Sequence, residues 1–181
     1  MGILNQTGKR QLAVLLAICF CWMGLVGCDG RVAPLPDRCA DAFYAELVWE
    51  RDGIPLRATL TVGEEKKDGE RDLSLCLLAP VELKGVCAKR VDGEIRLELE
   101  DMIFDGLPVL GLLEVAELLL ATDGLRHVCD VEQNGETLRL AESRWKEERV
   151  ERYLTVPDGI PRRVVWGALT VLIVRFEQTV H

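Results

Sequence analysis

The stretch Val128–Ala141, VCDVEQNGETLRLA, decides the fold class of this 181-residue chain. Its centre is Asn134-Gly135, a residue pair that tolerates positive φ at both inner positions of a tight hairpin turn. The flanking runs alternate between apolar and polar side chains, which is typical of a strand with one buried face. The stretch therefore predicts an antiparallel β-hairpin.

The same turn signal recurs along the chain. Asp-Gly pairs occur at 52–53, 68–69, 92–93, 105–106, 123–124 and 158–159. Several of them border alternating runs, among them Ile54–Val62, Ile95–Leu99 and Val150–Val156. Period-two segments separated by turns predict an antiparallel meander, which we count as about nine or ten strands.

One segment, Leu107–Ala121 (LPVLGLLEVAELLLA), does not alternate. Pro108 near its start and Gly124 just past its end are helix start and stop signals. Glu114 and Glu117 share one helical face, and nearly every other position is apolar. The expected fold class is therefore α+β, mainly β: a curved antiparallel meander forming a half-open, barrel-like sheet, with this one apolar helix packed across it.

The segment Val164–Phe176 is apolar in both of its alternating sets. Such a pattern predicts strands covered on both faces, by the sheet core on one side and by another layer on the other. Gly167 marks a bend or a turn between two shorter strands. Together with the helix, these strands carry a surplus of apolar surface.

The N-terminal residues have the three parts of a secretory signal. Lys9 and Arg10 end a polar start, Leu12–Val26 carries no charge, and Gly27 precedes Cys28. The uncharged run has fifteen residues, fewer than the roughly 20 that a spanning helix needs. A cleaved signal is therefore favoured, and an uncleaved transmembrane anchor is the alternative.

Leu25-Val26-Gly27-Cys28 resembles the bacterial lipobox. The resemblance implies that the chain is cut before Cys28 and that the Cys28 thiol takes up a diacylglyceryl group. Two or more acyl chains anchor a protein stably, whereas a single chain does not. We therefore expect a lipoprotein signal peptide at 1–27, a lipidated cysteine and tether at 28–38, and a single mostly-β domain at 39–181. The expected location is extracytoplasmic, lipid-anchored to the bacterial cell membrane.

The charge of the chain disfavours nucleic acid as a partner. The formal net charge is −8, and residues 1–27 contribute only cations, so the remainder is more acidic still. An acidic domain repels phosphate backbones. The partners we expect are the membrane, through Cys28, and a lipid or acyl-chain ligand.

The thiols after Cys28 leave two alternatives open. They are Cys39, Cys76, Cys87 and Cys129. Outside the cytoplasm an even number of cysteines is able to form disulfides, and Cys76 and Cys87 lie on consecutive predicted strands, where they could meet. The alternative is that all four are buried and reduced.

No constellation for catalysis or metal binding occurs in the sequence. The only histidines are His127 and His181, and there is no CxxC pair, G-x-S-x-G, P-loop or HExxH motif. Cys129 is expected to share the sheet face of His127, but such a pair is more often a core thiol beside a tolerated polar residue than a nucleophile with its base. We predict a protein that is not an enzyme and has no metal and no cofactor.

With its lipobox, proline-containing tether, meander and apolar helix, the chain resembles small clostridial-type envelope lipoproteins. More distantly it is similar to the LolA, LolB and LprG group of lipoprotein and glycolipid carriers. In that group a curved, incompletely closed β-barrel is capped by helices around a hydrophobic cavity for acyl chains. The resemblance implies a lipid or other hydrophobic ligand between sheet and helix. The apolar residues expected to line that site are Leu112, Leu113, Val115, Leu119, Trp166, Leu172 and Val174.

The alternative function uses the same apolar surface differently. A helix that closes one face of a sheet needs no ligand, because the two layers can simply form a core. The chain would then be a non-enzymatic structural or protein-interaction lipoprotein of the cell envelope, with no ligand cavity.

Overall fold

A computed structural model describes residues 33–100, 102–105 and 110–179. These residues form one curved, open antiparallel sheet and a single α-helix, which confirms the α+β, mainly β class. The expected signal peptide and Cys28 lie outside the described residues. The sheet has eleven strands rather than about nine or ten. The additional strand, Met102–Asp105, is too short to display a period-two pattern.

The strands are β1 (Phe43–Arg51), β2 (Ile54–Glu65), β3 (Arg71–Ala79), β4 (Cys87–Val91), β5 (Glu94–Leu99), β6 (Met102–Asp105), β7 (Arg126–Gln133), β8 (Glu136–Trp145), β9 (Glu148–Thr155), β10 (Pro161–Trp166) and β11 (Leu169–Gln178). The helix is α1 (Leu110–Leu120), and a 3-10 turn, Val81–Leu83, follows β3.

Two meanders meet at the middle of the sheet. The strand order is β6-β5-β4-β3-β2-β1-β11-β10-β9-β8-β7, so β1 pairs with β11 and the two ends of the domain lie side by side. α1 follows β6 in the chain and packs on β3 and β4. We call the face of the sheet that α1 covers the inner face and the opposite one the outer face.

The hairpin turns form at the residue pairs that predicted them. Asp52-Gly53, Asp92-Gly93 and Asn134-Gly135 have positive φ at both residues, with values between 51° and 79°. Turns of this type have the twist that joins two antiparallel strands directly. The meander prediction is therefore confirmed at these turns.

The core lies between the inner face and α1. Alternate residues of β1, β2 and β3 point into it, as the period-two pattern requires. An eleven-residue helix is marginal in water on its own, so α1 depends on this packing. Its buried core residues are Leu113, Val115, Ala116, Leu118 and Leu119.

A β-bulge interrupts β11. Glu46 of β1 pairs with Arg175, but the next residue, Leu47, pairs with Ile173. Val174 is therefore the additional residue in β11. A bulge of this kind moves the following side chains to the opposite face of the sheet.

The bulge explains why both alternating sets of this segment are apolar. Val171 and Ile173 point inward before the bulge and Phe176 packs against the core after it. Leu172 and Val174 are 44 % and 51 % exposed on the outer face. The expected cover over this second apolar set is therefore not found among the described residues.

Candidate ligand groove

Two of the seven predicted lining residues, Val115 and Trp166, line an open groove between α1 and the sheet. Leu172 and Val174 lie on the outer face and cannot take part in it. The other three belong to the packing between helix and sheet: Leu112, Leu113 and Leu119. The structure thus brings together only part of the predicted site.

The groove has a volume of about 590 Å³, within the range of roughly 300–1,000 Å³ that small-molecule sites occupy. It lies where the start of α1 meets the β1–β2 turn and the β10–β11 turn. Its apolar lining is Trp49, Val115, Trp166, Ala168 and Leu169. Its polar lining is Glu50, Arg51, Asp52, Glu114 and Thr170.

Trp166 is held edge-on against Trp145, with ring centroids 4.6 Å apart. Its indole N–H is buried and has no acceptor among the described residues. Buried donors nearly always have a partner.

The guanidinium of Arg51 lies against the first turn of α1. A Cβ atom added to Gly111 would be 2.1 Å from Arg51 Nη1, so glycine leaves the space that the guanidinium occupies. On the next turn, the Glu114 carboxylate is paired with Lys146 at 2.8 Å. The groove therefore combines an apolar wall with a charged rim, which suits a molecule that has both an apolar and a polar part.

The opposite end of α1 is closed by a buried arginine. Arg152 of β9 is 2 % exposed and donates hydrogen bonds to the carbonyl oxygens of Leu118 and Ala121, both at 2.6 Å, and of Leu119 at 2.9 Å. Its Nε donates to Ser143 Oγ. These carbonyls have no partner within the helix, and a cation there is favoured by the helix dipole.

The two free thiols of the described residues do not form a reactive site. Burial raises the pKa of the Cys39 thiol to about 12, against the opposing effect of Arg152. A cysteine with such a pKa stays protonated and is a poor nucleophile. Cys129 is exposed on β7.

His127 and Cys129 do not share a face of the sheet, so the sequence expectation is wrong here. His127 pairs with Ala141, whereas Cys129 pairs with its neighbour Leu140. The bulge between them places the two side chains on opposite faces. They cannot act as a nucleophile and its base.

Residues 33–38, which the sequence assigned to a tether, contact the domain. Arg139 Nη1 donates to the Ala33 carbonyl at 2.6 Å. The Leu35 backbone N–H donates to His127 Nε2 at 3.2 Å. This segment therefore lies against β7 and β8, and the imidazole must be neutral to accept its hydrogen bond.

We expect the stability of the chain to fall on acidification in the range where His127 takes up a proton. Burial, together with the positive charge of Arg139, holds the pKa of His127 below its usual range. Arg139 is paired with Asp130. Because the pKa of His127 is lower in the folded chain, the unfolded chain binds the proton more readily. The contribution of neutral His127 to stability is therefore complete above the unfolded pKa and is lost as pH falls through the folded pKa.

Urea unfolding at pH 7.5 and 5.5 checks this expectation. His127→Gln keeps a side-chain acceptor but does not titrate, so it should show a smaller decrease in the free energy of unfolding than the unmodified chain. His181→Gln changes the other histidine and should leave the decrease as it is. An equal decrease in all three proteins would contradict the assignment to His127.

A disulfide joins Cys76 of β3 to Cys87 of β4. The two residues are directly opposite each other in the strand register. Of the two alternatives that the sequence left open for Cys76 and Cys87, the structure therefore has the disulfide. Disulfides form and persist mainly in oxidising compartments.

Two further properties follow from the described part of the chain. It has no cluster of three or more His, Cys, Asp or Glu side chains that could hold a metal ion. Its α-helix is too short to cross a membrane.

The chain is similar to several solved structures. An uncharacterised conserved protein from Thermus thermophilus is 16 % identical, with a TM-score of 0.52 over 78 % of this chain and 81 % of that one. MucB is 16 % identical with a TM-score of 0.48, over 80 % of this chain and 57 % of its own, so the chain spans a little over half the length of MucB. A LolA superfamily protein from Nitrosomonas europaea is 7 % identical with a TM-score of 0.44, over 78 % and 88 %. No family model and no curated protein matches the chain.

Proposed function

We propose that this protein binds an amphiphilic, lipid-like ligand in the groove between α1 and the sheet and that it is not an enzyme. The observation that carries the proposal is the groove itself, with its apolar wall, its charged rim and a volume of about 590 Å³. Trp166, which is half-buried, lines this groove together with exposed Ala168. An apolar tail would pack on Trp166 and Leu169, which are half-buried in the groove, while a polar head would reach Arg51 at the rim.

We also propose that the chain is anchored outside the cytoplasm through lipidated Cys28. The support is the run Leu25-Val26-Gly27-Cys28 after an uncharged segment. The Cys76–Cys87 disulfide agrees with an oxidising compartment. The ligand site and the anchor are separate proposals, because neither requires the other.

Ala168→Phe should weaken ligand binding about tenfold or more, because Ala168 is exposed at the groove and a phenyl ring there would obstruct it. The matched control is Val174→Phe, which enlarges an exposed apolar side chain on the outer face. The measurement uses residues 29–181, checked for folding by circular dichroism. Quenching of tryptophan fluorescence by a brominated fatty acid reports binding near Trp49 and Trp166.

Organic extraction of the same protein, followed by mass spectrometry, shows whether lipid co-purifies. Saturable quenching that Ala168→Phe weakens and Val174→Phe leaves unchanged supports the groove. Absence of both quenching and co-purified lipid would overturn the proposal. Equal effects of the two variants would show that the fatty acid binds elsewhere.

Protein interaction is the second candidate function, and the outer face favours it. Leu172 and Val174 are exposed there, beside half-buried Val48 and Val165. Contiguous exposed apolar side chains often mark interaction sites. Under this function Val174→Glu would abolish partner binding, Ala168→Phe would not affect it, and no lipid would co-purify.

A further inference from the structure

Three arginines lie together on the outer face of β7, β8 and β9. Arg126 is opposite Glu142 in the register, and Arg144 is directly opposite Arg149. Val150, which follows Arg149, is fully buried on the inner face, so the arginines point the other way. They line a pocket of about 360 Å³, which we call the arginine pocket.

A single carboxylate fixes two of these guanidinium groups. Glu142 Oε2 accepts from Arg126 Nε at 3.2 Å and from Arg126 Nη2 at 2.7 Å, while its Oε1 lies 2.9 Å from Arg149 Nη2. The Glu142 side chain is only 12 % exposed. Arg149 Nη2 also donates to Glu151 at 2.8 Å. Arg126 and Arg149 are thus oriented before any ligand arrives.

Arg144 is the arginine of the pocket whose charge is not paired with a carboxylate of the described residues. It makes no ion pair and no side-chain hydrogen bond with any residue that the structure describes. Like charges directly opposite each other on neighbouring strands destabilise a sheet, and Arg144 faces Arg149 in this way. Arg175, also exposed, is instead paired with both Glu46 and Glu177.

The arginine pocket is lined by three guanidinium groups and one carboxylate, Glu142, while Glu151 outside the lining pairs with Arg149. The formal net charge of the whole chain is −8. An arriving anion would balance the remaining charge and remove the repulsion between Arg144 and Arg149. Guanidinium groups bind tetrahedral oxyanions through two parallel N–H donors. Each of the three retains donors that Glu142 and Glu151 do not use.

We propose that the arginine pocket is a binding site for a phosphate group. Arg144 and Arg149 would donate to its oxygens, and Glu142 would act only as a positioning residue for the pocket. The same chemistry is offered by free inorganic phosphate and by the phosphate of an anionic lipid headgroup. The site lies on the outer face and does not depend on the ligand groove.

The test uses the full chain in dodecyl maltoside, which carries no phosphate. Inorganic phosphate is titrated while the arginine Nε–Hε signals are followed by NMR. We expect saturable shifts and about a tenfold weaker affinity in Arg144→Gln. The matched control, Arg162→Gln, removes an exposed arginine of β10 that is paired with Glu136 at 3.7 Å, and it should leave the affinity unchanged.

A second arm distinguishes the two sources of phosphate. The same signals are followed on adding phosphatidylglycerol or phosphatidylcholine to the micelles. A stronger response to phosphatidylglycerol than to inorganic phosphate indicates a lipid headgroup, and the reverse indicates the free ion. Absence of saturable binding to both, or equal weakening by Arg144→Gln and Arg162→Gln, would overturn the proposal. Arg144→Lys should recover only part of the affinity, because lysine keeps the charge but lacks the paired donors.

Discussion

Replacing Arg152 with methionine is expected to lower the free energy of unfolding by about 3–5 kcal/mol, since each buried carbonyl left without a donor costs about 1–3 kcal/mol. The guanidinium bonds to three main-chain oxygens at the end of α1. Methionine replaces only the aliphatic part of the arginine side chain and has no donor, so none of these bonds is replaced. Burial also lowers the pKa of Arg152, against the opposing effects of Cys39 and Asp37.

Urea unfolding of the chain measures this effect, with the midpoint and the slope reported separately. Arg162→Met is the matched control, because an exposed ion pair contributes only about 0–1 kcal/mol. The loss of unfolding free energy in Arg152→Lys should lie between the losses in Arg152→Met and Arg162→Met, since an ammonium cannot reach all three oxygens. A loss below about 1 kcal/mol in Arg152→Met would show that water or rearrangement satisfies the helix end equally well.

Arg152 also illustrates how much of the fold could be predicted from the sequence. The alternating run Val150, Arg152, Leu154 predicts the strand correctly and shows a cation within an apolar set. That cation was the available signal for a buried, paired arginine. Its partners could not be found in advance, because they are main-chain oxygens of α1 more than thirty residues away.

The hairpin turns were predictable because their cause is local. Asn134-Gly135 is a pair whose own residue types favour the positive φ that it adopts, and the strands on either side follow from alternation. The bulge at Val174 is different, because it depends on how β11 aligns with β1. The sequence shows two apolar sets in this segment, but only the register reveals that one of them faces outward.

The groove was partly predictable from the sequence. Val115 and Trp166 belong to segments whose apolar surplus indicated a site between helix and sheet. Trp49 and Arg51 were missed, because the β1–β2 turn reaches α1 only through the tertiary fold. Gly111 gave a weak signal, since a glycine within a predicted helix often marks a close approach by another group.

Cys28→Ala is expected to abolish acylation completely and to leave residues 1–27 attached, because the thiol is the only group in Leu25-Val26-Gly27-Cys28 that can take up the lipid. Intact-mass measurement of the membrane fraction distinguishes the two forms. The unmodified chain should lack residues 1–27 and carry two or more acyl chains. The matched control is Cys21→Ala, which removes a thiol inside the uncharged run and should mature normally.

Loss of the acyl chains should also change how the chain is held at the membrane. Two chains anchor a protein stably, at about 0.8 kcal/mol for each buried CH₂ group. Normal maturation of Cys28→Ala, or equal failure of Cys21→Ala, would refute lipidation at Cys28. An uncut chain with no lipid in both the variant and the unmodified protein would instead favour a transmembrane anchor.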